Sequence, residues 1–282
     1  MRQNIQHFDI RQSMNNSKYE IFHYKEPAEN KVEIHSHDFY EIFFLLDGDI
    51  SYWLEGKIYQ PKKGDILLID PSTLHRPIIP ENKPVYERIV MWIDRNYLDS
   101  ISSDKIQLSE CFDGNSSCLL HPNSSQRAEL TEKFSNLVRE YYSDEYGSSI
   151  YADSLFMQIM VELNRMKMTH YRPQNVRKTS TLVSGTVEYI GEHFSEELSL
   201  DMLAEKFYVS KYHLSHEFSD NVGISVYRYI MLKRLTAAKR MLIENSSPGE
   251  VYLACGFKDY TSFFRAFKAE YGISPREFSS KR

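Results

Sequence analysis

Four residues in the first third of the chain, His35, His37, Glu41 and His75, are of the types that exchange hydrogen bonds with small polar molecules. A neutral imidazole donates at one nitrogen and accepts at the other, and a carboxylate accepts from several donors, so the set can pair with hydroxyl groups. His35, His37, Glu41 and Phe43 all fall at odd positions, and side-chain alternation along a strand would bring them to related faces. Trp53, Arg88 and Trp92 extend the set as aromatic and cationic walls of a concave binding site. Core packing competes for every aromatic residue in a chain that is 13% Phe, Trp and Tyr, and it claims most of them.

A second set lies near the other end, where one pattern is written twice. Ser210, Leu214, Phe218 and Gly223-Ile224-Ser225 are followed, 49 residues on, by Asp259, Phe263, Phe267 and Gly272-Ile273-Ser274. A polar N-cap with apolar residues at the fourth and eighth positions after it predicts a helix with one buried stripe. Burying Leu214 and Phe218 turns Tyr212, Ser215 and His216 outward, and burying Phe263 and Phe267 does the same for Thr261, Phe264 and Arg265. A repeated helix with a free polar face suggests a double helix-turn-helix that reads DNA. Arg265 has the geometry to take guanine O6 and N7, and Thr261 and Phe264 can touch a thymine methyl. Lys211, Lys233, Lys258 and Lys268 suit phosphate contacts, which fix position without specifying sequence. For His216 and Phe264 the competing role is simple surface cover.

The elements that must position these residues change character along the chain. Between about 19 and 94, short apolar runs such as 41–46, 50–54 and 66–69 are punctuated by Gly48, Gly56, Pro61, Gly64-Asp65 and Pro71, which predicts a β-sandwich or barrel. From 125 the period becomes helical, through Leu130, Phe134 and Leu137, and again from 150 through Leu155, Ile159 and Met166. These two helices carry more apolar residues than one barrel is expected to cover, which predicts a dimerisation segment. The stretch 170–179, with Pro173 and no apolar period, reads as a linker. Beyond it, helices are expected over 182–194 and after Ser199, Ser210 and Ser225. The helix from Ser225 is a rigid spacer, and Ser274-Pro275-Arg276-Glu277 is a capping box opening the last helix.

Charge divides along the same boundary. Residues 206–282 hold 13 Lys and Arg against 7 Asp and Glu, and the rest of the chain holds 21 against 32, so only the C-terminal end suits a polyanion. Three cysteines without a CxxC pair exclude a disulfide framework and a zinc finger. With no signal peptide and no apolar run of membrane-spanning length, a cytoplasmic protein without a membrane partner is expected.

The stretch 199–278 resembles the DNA-binding domain of the AraC/XylS family of bacterial transcription regulators. The match is carried by 256–268, Gly272-Ile273-Ser274-Pro275, and Arg234-Leu235 with Ala238 and Leu242. It departs from the family pattern at Tyr252, where a small residue is usual, and at Pro248, where an aliphatic is usual. The resemblance implies base reading by Tyr212, Ser215 and His216 in the first unit and by Thr261, Phe264 and Arg265 in the second. The N-terminal segment resembles the two cupin motifs, through His35-Ser36-His37, Glu41, Gly48, Pro61, Gly64-Asp65 and His75. Cupin enzymes hold a metal at the positions matched by His35, His37, Glu41 and His75, and three imidazoles with a carboxylate suit Zn, Fe, Mn or Ni. Sensor barrels joined to AraC-type domains often keep these residues without a metal, so a metal-free pocket and no cofactor are expected.

The expected fold is therefore multi-domain: an N-terminal all-β cupin-like barrel (1–122), a helical pair for dimerisation (123–169), a linker (170–179) and a C-terminal all-α double helix-turn-helix domain (180–282). The expected function is a sequence-specific regulator, an activator and not an enzyme, bound to double-stranded DNA as a homodimer. It would respond to a small effector, a sugar by preference, and engage RNA polymerase when activating. A metal-dependent cupin enzyme with a helical assembly tail and a metal-sensing repressor are the alternatives.

Overall fold

In the computed structural model, residues 13–26, 32–80, 86–112, 118–170, 177–244 and 246–280 are described. The strands run β1 (Tyr19–Glu26), β2 (Tyr40–Asp47), β3 (Ser51–Leu54), β4 (Lys57–Tyr59), β5 (Ile66–Ile69), β6 (His75–Ile78), β7 (Tyr86–Ile93), β8 (Cys118–Leu120) and β9 (Arg177–Lys178). They form two antiparallel sheets, ordered β1-β7-β2-β5-β8 and β6-β3-β4-β9. Strand β2 is buried along its first six residues because it lies between β5 and β7 and both of its faces are covered. That double cover is why its residues 42–46 read as an unbroken apolar run. Alternate residues of the first sheet feed two cores. Ile42, Phe44, Leu68 and Met91 face outward, and Phe43, Leu45, Leu67 and Trp92 face into the barrel.

The outward core is closed by helices. After α1 (Arg95–Ser100) come α2 (Ser124–Tyr141) and α3 (Ser148–His170). Asn123 caps α2 by accepting from the Ser125 and Gln126 amides, and Gln126 returns the bond to the Asn123 amide. Leu130, Phe134 and Leu137 of α2, with Phe156, Ile159 and Leu163 of α3, pack onto the first sheet, and the rings of Phe44 and Phe134 lie 5.1 Å apart. The apolar surplus expected to drive dimerisation is thus largely covered within the chain. Large apolar residues that stay exposed along the helical pair and its connection include Tyr146, Ile150, Tyr151 and Met168.

The C-terminal domain consists of α4 (Thr181–His193), α5 (Leu200–Lys206), α6 (Lys211–Val222), α7 (Val226–Ile243), α8 (Pro248–Ala254), α9 (Tyr260–Tyr271) and α10 (Pro275–Ser280). Helix α7 is shared by two apolar cores. Leu214 and Phe218 join one, and Phe263 and Phe267 the other. The two departures from the family pattern have local explanations. Pro248 occupies the first turn of α8, where a missing N–H costs nothing, behind a capping box of Ser247 and Glu250. Tyr252 packs edge-on against Tyr260 at 5.9 Å.

The linker expected over 170–179 is shorter than its sequence suggests. Residues 171–176 lie outside the described residues. Arg177–Lys178, however, pair with Ile58 and Lys57 as the edge strand of the second sheet, and the Thr179 hydroxyl donates to the Gly56 carbonyl at 2.8 Å. Backbone pairing needs no apolar period, so the sequence carried no signal for it.

Candidate ligand cluster and DNA-reading helices

An antiparallel bridge between His35 and His75, with N–O distances of 3.1 and 2.9 Å, fixes the loop before β2 against the start of β6. It brings the rings of His35 and His75 to 4.4 Å and those of His37 and His75 to 4.9 Å. Potential ligand atoms of His37, Glu41 and His75 all lie within 4.8 Å of one another, and all three residues are buried. Each histidine is oriented the same way. Nδ1 of His35, His37 and His75 lies 2.9, 2.9 and 2.8 Å from the carbonyl oxygens of Glu33, Phe39 and Thr73. A carbonyl only accepts, so Nδ1 carries the hydrogen in all three, and Nε2 is left as the inward-facing atom.

Glu41 is the acceptor at the centre. It receives Trp92 Nε1–H at 3.0 Å and the Tyr52 hydroxyl at 3.4 Å, and His37 Nε2 lies 3.2 Å from its Oε2. With Nδ1 already donating, His37 Nε2 can donate to Glu41 only as an imidazolium. As a neutral ring it would aim a lone pair at a carboxylate, an arrangement that a cation between them would resolve. Burial alone would raise the Glu41 carboxyl, but the bond to His37 and the surrounding imidazoles outweigh it and hold the group down at about 2. Burial, then the neighbouring imidazoles, push His75 well below its usual value, and burial lowers His35. His75 Nε2 is buried and has no hydrogen-bond partner among the described residues. These features fit a metal ion as well as they fit a hydroxylated ligand: the donor set is right, and the carbonyls of Glu33, Phe39 and Thr73 already fix the tautomers.

Of the residues expected around the pocket, His35, Glu41, Phe43, Arg88 and Trp92 line one cavity of about 20 Å³, and His37 and His75 stand beside it. Arg88 lies between the rings of Tyr24 and Tyr86, at 4.6 and 4.2 Å. Trp53 does not belong to the pocket. It points to the other face of β3 and packs into the core of the C-terminal domain. Its neighbour Tyr52 takes the pocket position, a residue that sequence reasoning missed together with Phe39, whose ring stacks on His37 at 4.0 Å. Both faces of this sheet are covered, so the alternation of β3 was legible but its direction was not.

The two repeated helices, α6 and α9, are each twelve residues long. Ser210 Oγ accepts from the His213 amide at 3.1 Å and Asp259 Oδ1 from the Ser262 amide at 2.8 Å. Both helices end on left-handed glycines, Gly223 and Gly272. Tyr212, His216, Thr261 and Arg265 are exposed, and Ser215 and Phe264 are half-buried. His216 Nδ1 sits 2.8 Å from Asp220. The register of 49 holds for these helices but not for the ones before them. The left-handed residue after α5 is Tyr208 and that after α8 is Gly256, so the second turn is one residue longer. A Cβ at Gly256 would lie 2.6 Å from the Ser195 carbonyl oxygen, and only glycine fits there.

Among the expected phosphate-binding lysines, Lys268 is exposed, Lys211 pairs with Asp201 and Lys258 with Glu197, both at 2.7 Å on the surface. Lys233 is different. It faces the barrel, with Nζ 3.0 Å from Glu55 and its side chain 19% exposed, so the expected phosphate role gives way to a contact between domains. A lysine in the middle of a helix carries no mark of which face will be covered by another domain.

Paired helix-turn-helix units behind a barrel whose apolar interior holds a buried histidine and glutamate cluster define a DNA-binding transcription regulator with an N-terminal ligand-binding domain. Residues 18–160 match the AraC-like ligand binding domain and 203–281 a helix-turn-helix domain, and the chain belongs to the AraC/XylS family. It is 22% identical over 250 residues to the HTH-type transcriptional activator RhaS of Escherichia coli, covering 88% of this chain and 87% of that protein. It is 24% identical over 249 residues to RhaS of Salmonella schwarzengrund, with the same coverage. Among solved structures, the C-terminal domain of AraT from Geobacillus stearothermophilus is 29% identical over 38% of this chain and 89% of its own, with a TM-score of 0.37. ToxT of Vibrio cholerae with a bound unsaturated fatty acid is 13% identical over 95% of this chain and 96% of its own, with a TM-score of 0.38. Among the described residues, no helix is long and apolar enough to cross a membrane.

Proposed function

We propose that the protein is a transcription activator that binds DNA through the N-terminal halves of α6 and α9 and answers to a small ligand held by His35, His37, Glu41 and His75. The observation that carries the DNA reading is the pair of equal, identically capped helices, each with a buried apolar stripe and an outward polar face. Tyr212, Ser215 and His216 read one major groove and Thr261, Phe264 and Arg265 the next, with α7 holding the two helices about 34 Å apart, one turn of DNA. Lys211, Lys258 and Lys268 contact phosphates. The protomers pair as a homodimer through the exposed Tyr146, Ile150 and Tyr151 of the helical pair, and RNA polymerase is the partner in activation. Hydroxyl-radical footprinting tests this reading: two protected segments per protomer, one helical turn apart, are expected, and a single segment refutes it.

The ligand of the first reading is a carbohydrate, whose hydroxyl groups would donate to the inward Nε2 atoms and to Glu41. The relatives named RhaS are activators, which supports the sign of regulation. A cavity of about 20 Å³ holds little more than one water, so the barrel must open to admit a sugar. That small volume, with the unpartnered His75 Nε2, favours a second reading in which the ligand is a single divalent metal ion and the protein a metal-responsive regulator. Elemental analysis of protein purified without tag or chelator separates them. One ion per chain, lost in His37→Ala, supports the second, and a metal-free protein that binds a sugar in calorimetry supports the first.

A further inference from the structure

The second sheet is a wall shared by two sites. On its inner side Tyr52 and His75 face the histidine cluster, and on its outer side the next residues, Trp53 and Arg76, face the DNA-binding helices. The Arg76 guanidinium lies so close to Gly223, the residue that ends α6, that a Cβ there would approach it to 2.8 Å. The loop carrying His35 and His37 is divided in the same way. Ser36 Oγ is 2.9 Å from Thr236 Oγ1, and Asp38 lies 3.3 Å from Lys239 Nζ. Tyr229, Lys233 and Thr236 follow one another on α7 at spacings of four and three, one stripe of the helix turned to the barrel.

At one end of that stripe stands Glu55. Its carboxylate accepts from the Tyr229 hydroxyl at 2.8 Å, from Lys233 Nζ at 3.0 Å and from the Leu74 amide at 2.9 Å, so two of three donors come from across the domain boundary. The backbone there is left-handed, with φ of 40° at Glu55 and 79° at Gly56, a two-residue hairpin turn in which Asn or Gly would sit with less strain. Strain of this kind persists only where the surroundings overdetermine it, and here they are the Leu74 backbone, which bonds both the amide and the carboxylate of Glu55, together with the two donors of the other domain.

We propose that Glu55 is a latch: its contacts with Tyr229 and Lys233 hold the DNA-binding domain on the outer face of the wall, and disturbing the cluster on the inner face loosens that docking. The second clause rests on the reading of the cluster as the ligand site. Two tryptophans make the proposal measurable, because Trp53 lies in the docked interface and Trp92 beside the cluster. Fluorotryptophan incorporated into the full chain gives one fluorine resonance from each, assigned with Trp53→Phe and Trp92→Phe.

In the parent, Trp53 is fully buried and should show no shift on exchange from light to heavy water. In Glu55→Gln, which keeps size but removes the charge that holds Lys233, Trp53 should acquire that solvent shift and Trp92 should not move. Glu55→Asn, which relieves the turn but falls short of α7, should do the same. His37→Ala should shift Trp53 in the same sense and to a smaller extent, with folding followed by far-ultraviolet circular dichroism. A Trp53 signal that stays shielded in both Glu55 variants, or is unaltered in folded His37→Ala, overturns the proposal. DNA binding by the same samples is a separate measurement, so loss of the DNA reading would leave the latch standing and the converse.

Discussion

The indole of Trp53 meets the ring of Tyr229 edge-on, with centroids 6.2 Å apart and planes at 89°, so a barrel side chain completes the core of the DNA-binding domain. Both rings are fully buried. Trp53→Ala is expected to cost about 3 to 5 kcal/mol in chemical denaturation, the range for removing a large buried aromatic. Tyr52→Phe, one residue away, removes a single hydrogen bond to Glu41 and should cost about 1 kcal/mol. Equal costs would place the two side chains in equivalent surroundings.

Acid should destabilise the barrel. His35 and His75 have folded values below the unfolded value of about 6.5, so the stability they contribute is full above that pH and is lost as pH falls through it. Glu41 adds to the same trend at lower pH, since its carboxyl is held at about 2. The melting temperature should fall between about pH 7 and pH 5, and His75→Gln should flatten that limb. A melting temperature flat across the interval in the parent contradicts it.

Arg265→Ala should relax preference at one base position by about 1 to 3 kcal/mol. Lys268→Ala should weaken binding to all sequences alike and reduce the salt slope by about 1. Competition assays over a library of sites at several salt concentrations distinguish the two patterns. An unchanged base-preference profile for Arg265→Ala removes α9 from base reading.

Two glycines with similar backbones should tolerate alanine differently. Gly256 and Gly272 have φ of 78° and 74°, but a Cβ at Gly272 meets nothing within 4 Å, whereas one at Gly256 meets the Ser195 carbonyl. Gly272→Ala should cost about 1 to 2 kcal/mol from the left-handed backbone alone, and Gly256→Ala measurably more in urea denaturation.

Where a residue's role follows from its own helix, the sequence was enough. The N-caps Ser199, Ser210, Ser225 and Asp259 each open a helix, and Leu214, Phe218, Phe263 and Phe267 are all buried. The barrel strands were legible from short apolar runs between turn residues. Roles decided by a second body were not legible. Lys233 and Trp53 took their places from the docking of one domain on the other, and the helical pair buried its apolar stripe on the first sheet because that sheet had an uncovered outer face. The equal tautomers of His35, His37 and His75 depend on carbonyls whose direction no spacing encodes.

Strand β9 has a practical consequence. Arg177–Lys178 cover the free side of β4, although they lie beyond the helical pair in the chain. A fragment that stops before them exposes the backbone donors and acceptors of an edge strand, which recruit any extended chain within reach. Such a fragment would tend to self-associate or precipitate through a face that the intact protein keeps capped, and its size in solution would report that artificial edge instead of the native assembly.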